Sequence, residues 1–122
     1  MRALYAMNIF DAETKLLKSF DDEPQLITPK GKVYAEYVEE KKQQLLSFLI
    51  TPVVGKVVGA SMPDYAYEMY KGSKVWVIAN WKDNWLLTLE DKQEFALAYG
   101  SSTEELTMLG FSSSDALAEW LG

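Results

Sequence analysis

An α+β domain built on an antiparallel sheet is the fold class that this sequence predicts, and three observations predict it. Short β-rich runs separated by polar turns crowd residues 65–99, apolar side chains at helical spacing fill residues 29–50, and helix-capping signals return after residue 100. The two kinds of segment are segregated along the chain, the pattern of α+β rather than alternating α/β folds. The chain has 122 residues, 48% of them hydrophobic. That length suits a single α+β domain over residues 1–122, large enough to hide roughly two-thirds of its unfolded surface without metals or cross-links.

Ala3 to Phe10 is a short apolar run that reads as a strand. Asp11-Ala12-Glu13-Thr14 supplies a polar turn and Lys15 to Phe20 a second strand, giving an N-terminal hairpin; a helix over Asp11 to Phe20 is the competing reading. Asp21-Asp22-Glu23-Pro24 ends whichever element precedes it. Thr28 is a candidate N-cap and Pro29 fits the first helical position, where its missing N–H costs nothing, so one long helix is expected to about Ile50. Its apolar stripe is Tyr34, Tyr37, Val38, Leu45, Phe48 and Leu49, interrupted by Lys41 and Lys42, whose stems lie along the core. Thr51-Pro52 ends it. Gly31 weakens the first turn, and a turn at Pro29-Lys30-Gly31 leading to a strand at Lys32 to Val38 is the alternative.

Val53 to Ala60 reads as a strand, with Gly55 and Gly59 marking a bulge or a close backbone approach. A meander follows: Tyr65 to Tyr70, a Lys71-Gly72-Ser73 turn, Lys74 to Trp81, a Lys82-Asp83-Asn84 turn, Trp85 to Glu90, then Phe95 to Tyr99. Short connections make these antiparallel neighbours, and Lys74 to Trp81, apolar on both faces, belongs at the centre. Two short C-terminal helices complete the expectation. The first starts at a Ser102/Glu105 capping box and stops at Gly110, with Phe111 folding back on Leu106; the second starts near Ser112 and turns Ala116, Leu117, Trp120 and Leu121 inward. Leu26-Ile27-Thr28-Pro29 and Leu49-Ile50-Thr51-Pro52 echo each other, which reads as shared punctuation and not as a repeat.

The chain contains neither cysteine nor histidine. Disulfides, thiolate and imidazole metal sites, thiol nucleophiles and imidazole-based triads are thereby excluded. Acidic pairs four residues apart (Glu36 with Glu40, Asp64 with Glu68, Glu90 with Glu94, Asp115 with Glu119) could serve acid–base chemistry, but are more simply solvated faces. Glu90, Asp91 and Glu94 do not match the spacing of a calcium loop, and Gly55-Lys56 with Gly59 does not match that of a phosphate loop. The expectation is a protein that is no enzyme and uses no cofactor or metal. No targeting segment is visible, and the longest apolar window, Phe48 to Met62, is short of a bilayer span and carries Pro52 and Lys56. A soluble, cytoplasmic protein is expected.

Charge is distributed unevenly. Residues 1–82 hold ten acids and eleven bases, whereas residues 83–122 hold eight acids and Lys92 alone as a base, so the C-terminal third carries the whole excess behind the net charge of −6. Such a field repels nucleic acid and steers basic partners, although acids at helix N-termini also have a purely local role. Among the aromatic residues Trp76 is most simply core, while Trp81 and Trp85 flank a tight polar turn that leaves at least one of them partly exposed.

Two local segments resemble known families. Met108-Leu109-Gly110-Phe111 followed by Ala116-Leu117-Ala118 resembles the turn between the first two helices of ubiquitin-associated domains, which would imply ubiquitin binding. Leu26-Ile27-Thr28-Pro29-Lys30-Gly31 is similar to the exit from the wing of winged-helix regulators. Neither extends far enough to assign a family. The functional expectation is a non-enzymatic protein-binding module, an inhibitor whose acidic C-terminal third occludes the nucleic-acid-binding surface of a basic partner. In size and acidity the chain is similar to small phage-borne inhibitors of nucleases or CRISPR effectors. Glu90, Asp91, Glu94, Glu104, Glu105, Asp115 and Glu119 would carry the docking, with Trp81 or Trp85 as anchors. The competing expectation is a small-molecule or peptide-binding module with an aromatic pocket on the sheet.

Overall fold

A computed structural model describes residues 6–22, 24–61 and 65–121. These residues form an α+β fold with helices α1 (Ile9–Asp21), α2 (Tyr34–Ser47), α3 (Tyr65–Lys71) and α4 (Ala116–Leu121). The strands are β1 (Leu49–Gly55), β2 (Val57–Ala60), β3 (Val75–Trp81), β4 (Asn84–Leu89), β5 (Phe95–Tyr99) and β6 (Leu106–Ser113). They make one mixed sheet in the order β1-β3-β4-β5-β6-β2, antiparallel throughout except for the parallel pair β2 and β6.

The two edge strands of this sheet are separated in the chain by Lys56 alone. The sheet must therefore curl until its edges meet. Lys56 fastens the joint: its N–H donates to the Thr103 carbonyl at 2.8 Å and its own carbonyl accepts from the Leu106 N–H at 2.9 Å. A Cβ on Gly55 would lie 2.7 Å from Val77 Cγ2 on β3 and 3.0 Å from Leu106 Cδ1 on β6, so the close approach of the edges requires glycine. The strand expected over Val53 to Ala60 is thus two strands on opposite edges.

The expected N-terminal hairpin is not formed. Asn8 accepts from the Asp11 N–H and the Asp11 carboxylate accepts from the Asn8 N–H, both at 2.9 Å, a reciprocal cap that starts α1. Ala12, Leu16 and Ser19 then fall on one buried face, so helical periodicity overrides the apolar runs that suggested strands. Ala3 to Tyr5 of the expected first strand, Glu23 of the acidic run and Asp64 of one acidic pair lie outside the described residues.

The long helix is shorter than expected. Pro29 begins no helix: its carbonyl accepts from the Lys32 N–H, closing a turn, and α2 starts only at Tyr34. Leu49 and Ile50 belong to β1, and Thr51-Pro52 lies inside that strand instead of ending a helix. The pairing there steps from Leu49 opposite Ala79 to Val53 opposite Val77, so the irregularity of an edge strand accommodates a residue with no N–H to offer. The two Thr-Pro echoes therefore occupy unlike structures.

Tyr65 to Tyr70 is α3 and not the first strand of the meander. The rest of the meander stands: β3, β4 and β5 are consecutive antiparallel neighbours, and Val75 to Ala79 of β3 is buried on both faces. The helix expected from Ser102 to Gly110 is β6. Ser102 caps only a turn, accepting from the Glu104 N–H at 3.0 Å, and beyond it Leu106 and Met108 point inward while Thr107 and Leu109 are less buried, the period of a strand. Gly110 is left-handed (φ 71°), but as a kink where the pairing of β6 with β5 shifts, and Phe111 is exposed instead of folding back on Leu106. The segment resembling a ubiquitin-associated turn thus has no helix before it, and the one resembling a wing exit follows α1. The second C-terminal helix is α4, with Ala116 and Leu117 buried and Trp120 half-buried, whereas Leu121 is exposed.

Alternation along the strands builds two apolar layers. One face of the sheet packs Trp76, Ile78, Leu86 and Phe95 against Leu16 of α1, Leu45 of α2 and Leu117 of α4. The other gathers Val75, Val77, Leu87 and Leu106 under Tyr70 of α3. Each fully buried side chain of this size contributes roughly 1.5–3 kcal/mol relative to exposure. Among the described residues no helix is long and apolar enough to cross a membrane.

Candidate functional site

The antiparallel strands decide where the C-terminal acids go. Asn84 pairs with Tyr99 at one end of β5, and Phe95 pairs with Thr88 and Ser113 at the other. Asp83, Glu104 and Glu105, in the β3–β4 turn and the β5–β6 loop, therefore stand at one end of the sheet. Glu90, Asp91 and Glu94, in the β4–β5 connection, and Asp115 and Glu119, around α4, stand at the other. The five residues of β5 hold the two groups roughly 15 Å apart. The negative charge is divided and does not form one continuous patch.

Lysines interleave the second group. Glu90 pairs with Lys74 at 3.4 Å and accepts from the Trp76 indole at 3.3 Å. The half-buried ammonium of Lys15 donates to the carbonyls of Leu89 (2.7 Å) and Lys92 (2.9 Å). Burial pushes its pKa down while Asp91 and Glu90 pull it back up. Asp115 is spent on structure, accepting from the Gln25 N–H at 2.8 Å and the Ala118 N–H at 3.0 Å. Glu119 accepts from the Ser113 hydroxyl at 2.7 Å, and burial raises its carboxyl above the ordinary range. Glu104 and Glu105, like Asp91, are exposed with no ion pair among the described residues.

The two tryptophans flanking the β3–β4 turn diverge. Trp85 turns to the α3 side, half-buried, and its indole N–H donates to the Gly100 carbonyl at 2.9 Å, fastening the β3–β4 hairpin to the β5–β6 loop. Trp81 turns to the opposite face and keeps 45% of its surface exposed. There it faces Phe48, which caps the C-terminus of α2, at 6.3 Å between ring centroids and 43° between planes. Trp120 of α4 approaches the same Phe48 from the other side, at 6.0 Å and 44°. Gln44, Asn84, Leu97 and Leu121 complete the walls of a half-open cleft of about 340 Å³.

This cleft is assembled from α2, the β3–β4 hairpin, β5 and α4. Of its residues only Trp81 is singled out by the sequence as an anchor; Phe48, Trp120 and Leu121 read there as core. Gln44, Asn84 and Leu97 carry no signal at all, because nothing in local pattern tells that residues 44, 84 and 120 meet. Among the described residues no ionisable side chain lines the cleft. Chemically it offers aromatic faces and edges and two carboxamides. No family model matches the chain, and the comparisons find no curated protein and no solved structure similar to it.

Proposed function

We propose that the protein is a non-enzymatic binding module that recognises its ligand through the Phe48–Trp81–Trp120 cleft. One observation carries this reading: three aromatic rings from elements remote in sequence converge on a hollow that the protein's own side chains leave open, with Trp81 half in solvent. Exposed tryptophan concentrates binding energy, and the volume falls within the roughly 300–1,000 Å³ of small-ligand sites. The test follows the four tryptophan indole N–H signals by NMR during titration with a fragment library. Hits should move Trp81 and Trp120 and leave Trp76 and Trp85 in place, and Trp81→Ala should weaken them at least about tenfold, or ~1.4 kcal/mol, with the melting temperature retained. Hits confined to Trp85, or unaffected by Trp81→Ala, would reject the cleft.

A second reading is favoured by Glu104 and Glu105, exposed and unpaired among the described residues at the β5–β6 loop. Here the chain is an inhibitor whose acids dock the nucleic-acid-binding surface of a basic partner, such as a nuclease or CRISPR effector. Charge reversal at both positions would then slow association severalfold and remove most of its salt dependence.

A further inference from the structure

Building on the cleft as the recognition site, we propose that its ligand is a small aromatic carboxylate, with the ring held among Phe48, Trp81 and Trp120 and the anionic group drawn to Lys41 and Lys82. Charge is the first argument. The chain carries −6 overall, yet among the described residues no carboxylate lines the cleft, and none hydrogen-bonds or pairs with a residue that does. Two cations stand beside the walls. Lys41 donates to the Gln44 side-chain oxygen at 3.3 Å, and the Lys82 ammonium stands 4.7 Å from the Trp81 ring centroid. Neither lysine is in a salt bridge among the described residues. Of the acids closest in sequence, Glu119 lines an adjoining hollow that shares Leu121 with the cleft and is bonded by Ser113, while Asp83 is exposed in the turn. At this border Lys41 and Lys82 offset the repulsion that an acidic chain exerts on an anion.

Ring geometry is the second argument. Walls tilted by 43° and 44° to Phe48 suit the edge-to-face and offset contacts that aromatic groups prefer. A cationic guest would also favour such rings, but it would meet the ammonium groups of Lys41 and Lys82 beside the walls. About 340 Å³ accommodates one or two fused rings with a short acid arm, and the amide groups of Gln44 and Asn84 can donate to its oxygens.

The probes are indole-3-propionate and its uncharged amide, titrated at low salt and read on the Trp81 and Trp120 indole signals. The acid should bind at least about fivefold tighter than the amide. In a Lys41→Gln/Lys82→Gln double variant, whose melting temperature is checked alongside, that preference should vanish while the amide's affinity stays unchanged. Equal binding of acid and amide would overturn the anion assignment and leave the cleft reading standing. If neither probe moves either signal, the aromatic-carboxylate assignment falls, and the fragment titration decides the cleft on its own. A peptide ending in tryptophan that binds tighter than the free acid would overturn the assignment to a small molecule.

Discussion

Ser19 shows how much one buried hydroxyl holds. It donates to the Ser114 carbonyl at 2.6 Å and accepts from the Ala116 N–H at 2.9 Å, so it satisfies both backbone groups where α4 begins and ties that helix to α1. Ser19→Ala leaves a donor and an acceptor without a partner in a buried place, which costs about 1–3 kcal/mol; chemical denaturation should show the midpoint fall with the slope unchanged. Glu119, close by, makes stability depend on pH. Burial is the larger influence on its carboxyl and raises it from the ordinary 4.5, opposed by the Ser113 bond and assisted by the charge of Asp115. Between 4.5 and the raised midpoint the folded chain holds a proton that the unfolded chain has released. Its contribution is therefore greatest below 4.5, falls as pH climbs through that interval and is level above it. Glu119→Gln keeps an acceptor for Ser113 and removes the titration, so denaturation at stepped pH should give a flatter profile from 4.5 upward. An unchanged profile would assign the dependence to another group.

Among the elements, α1 depends on its start. The reciprocal cap of Asn8 and Asp11 satisfies amides that the helix cannot, and Asn8→Ala should cost about 1 kcal/mol, visible as a lower melting temperature and as faster amide exchange in the first turn. That same cap explains part of what sequence concealed. Asn-x-x-Asp is a weaker textual signal than Ser-x-x-Glu, so the sequence hides the true cap at Asn8 while Ser102 and Glu105, which make only a turn, imitate a helix start. β3, β4 and β5 were legible because their alternation and polar turns are local facts. α3 was not, since its tyrosines favour strands and seven residues show barely two helical turns. β6 hid behind a left-handed glycine that serves a kink as readily as a helix stop. Trp81 was legible as an exposed anchor because a tight turn sits beside it; its partners Phe48 and Trp120 were not, since their meeting depends on how α2 and α4 cross the sheet.

For the molecule as a whole the decisive device is the joint at Gly55 and Lys56. A methyl group at Gly55 would press on Val77 and Leu106, and valine is too stiff to swing aside, so Gly55→Ala should destabilise by about 1–3 kcal/mol. The loss should appear in a urea titration together with exchange of the Lys56 and Leu106 amides, which close the joint. Retained stability there would mean that the edges are not held in contact. The division of acids between the two ends of the sheet is a property of this scale too, for no count along the chain reveals it.

Because one bent segment serves both rims, the order in which the molecule assembles is constrained. The hairpins of the meander can zip early from contacts near in sequence, whereas β2 finds β6 only after the whole intervening chain has been gathered in. Locking is a late event, and substitutions along β2 should accelerate escape from the native state while barely slowing its formation.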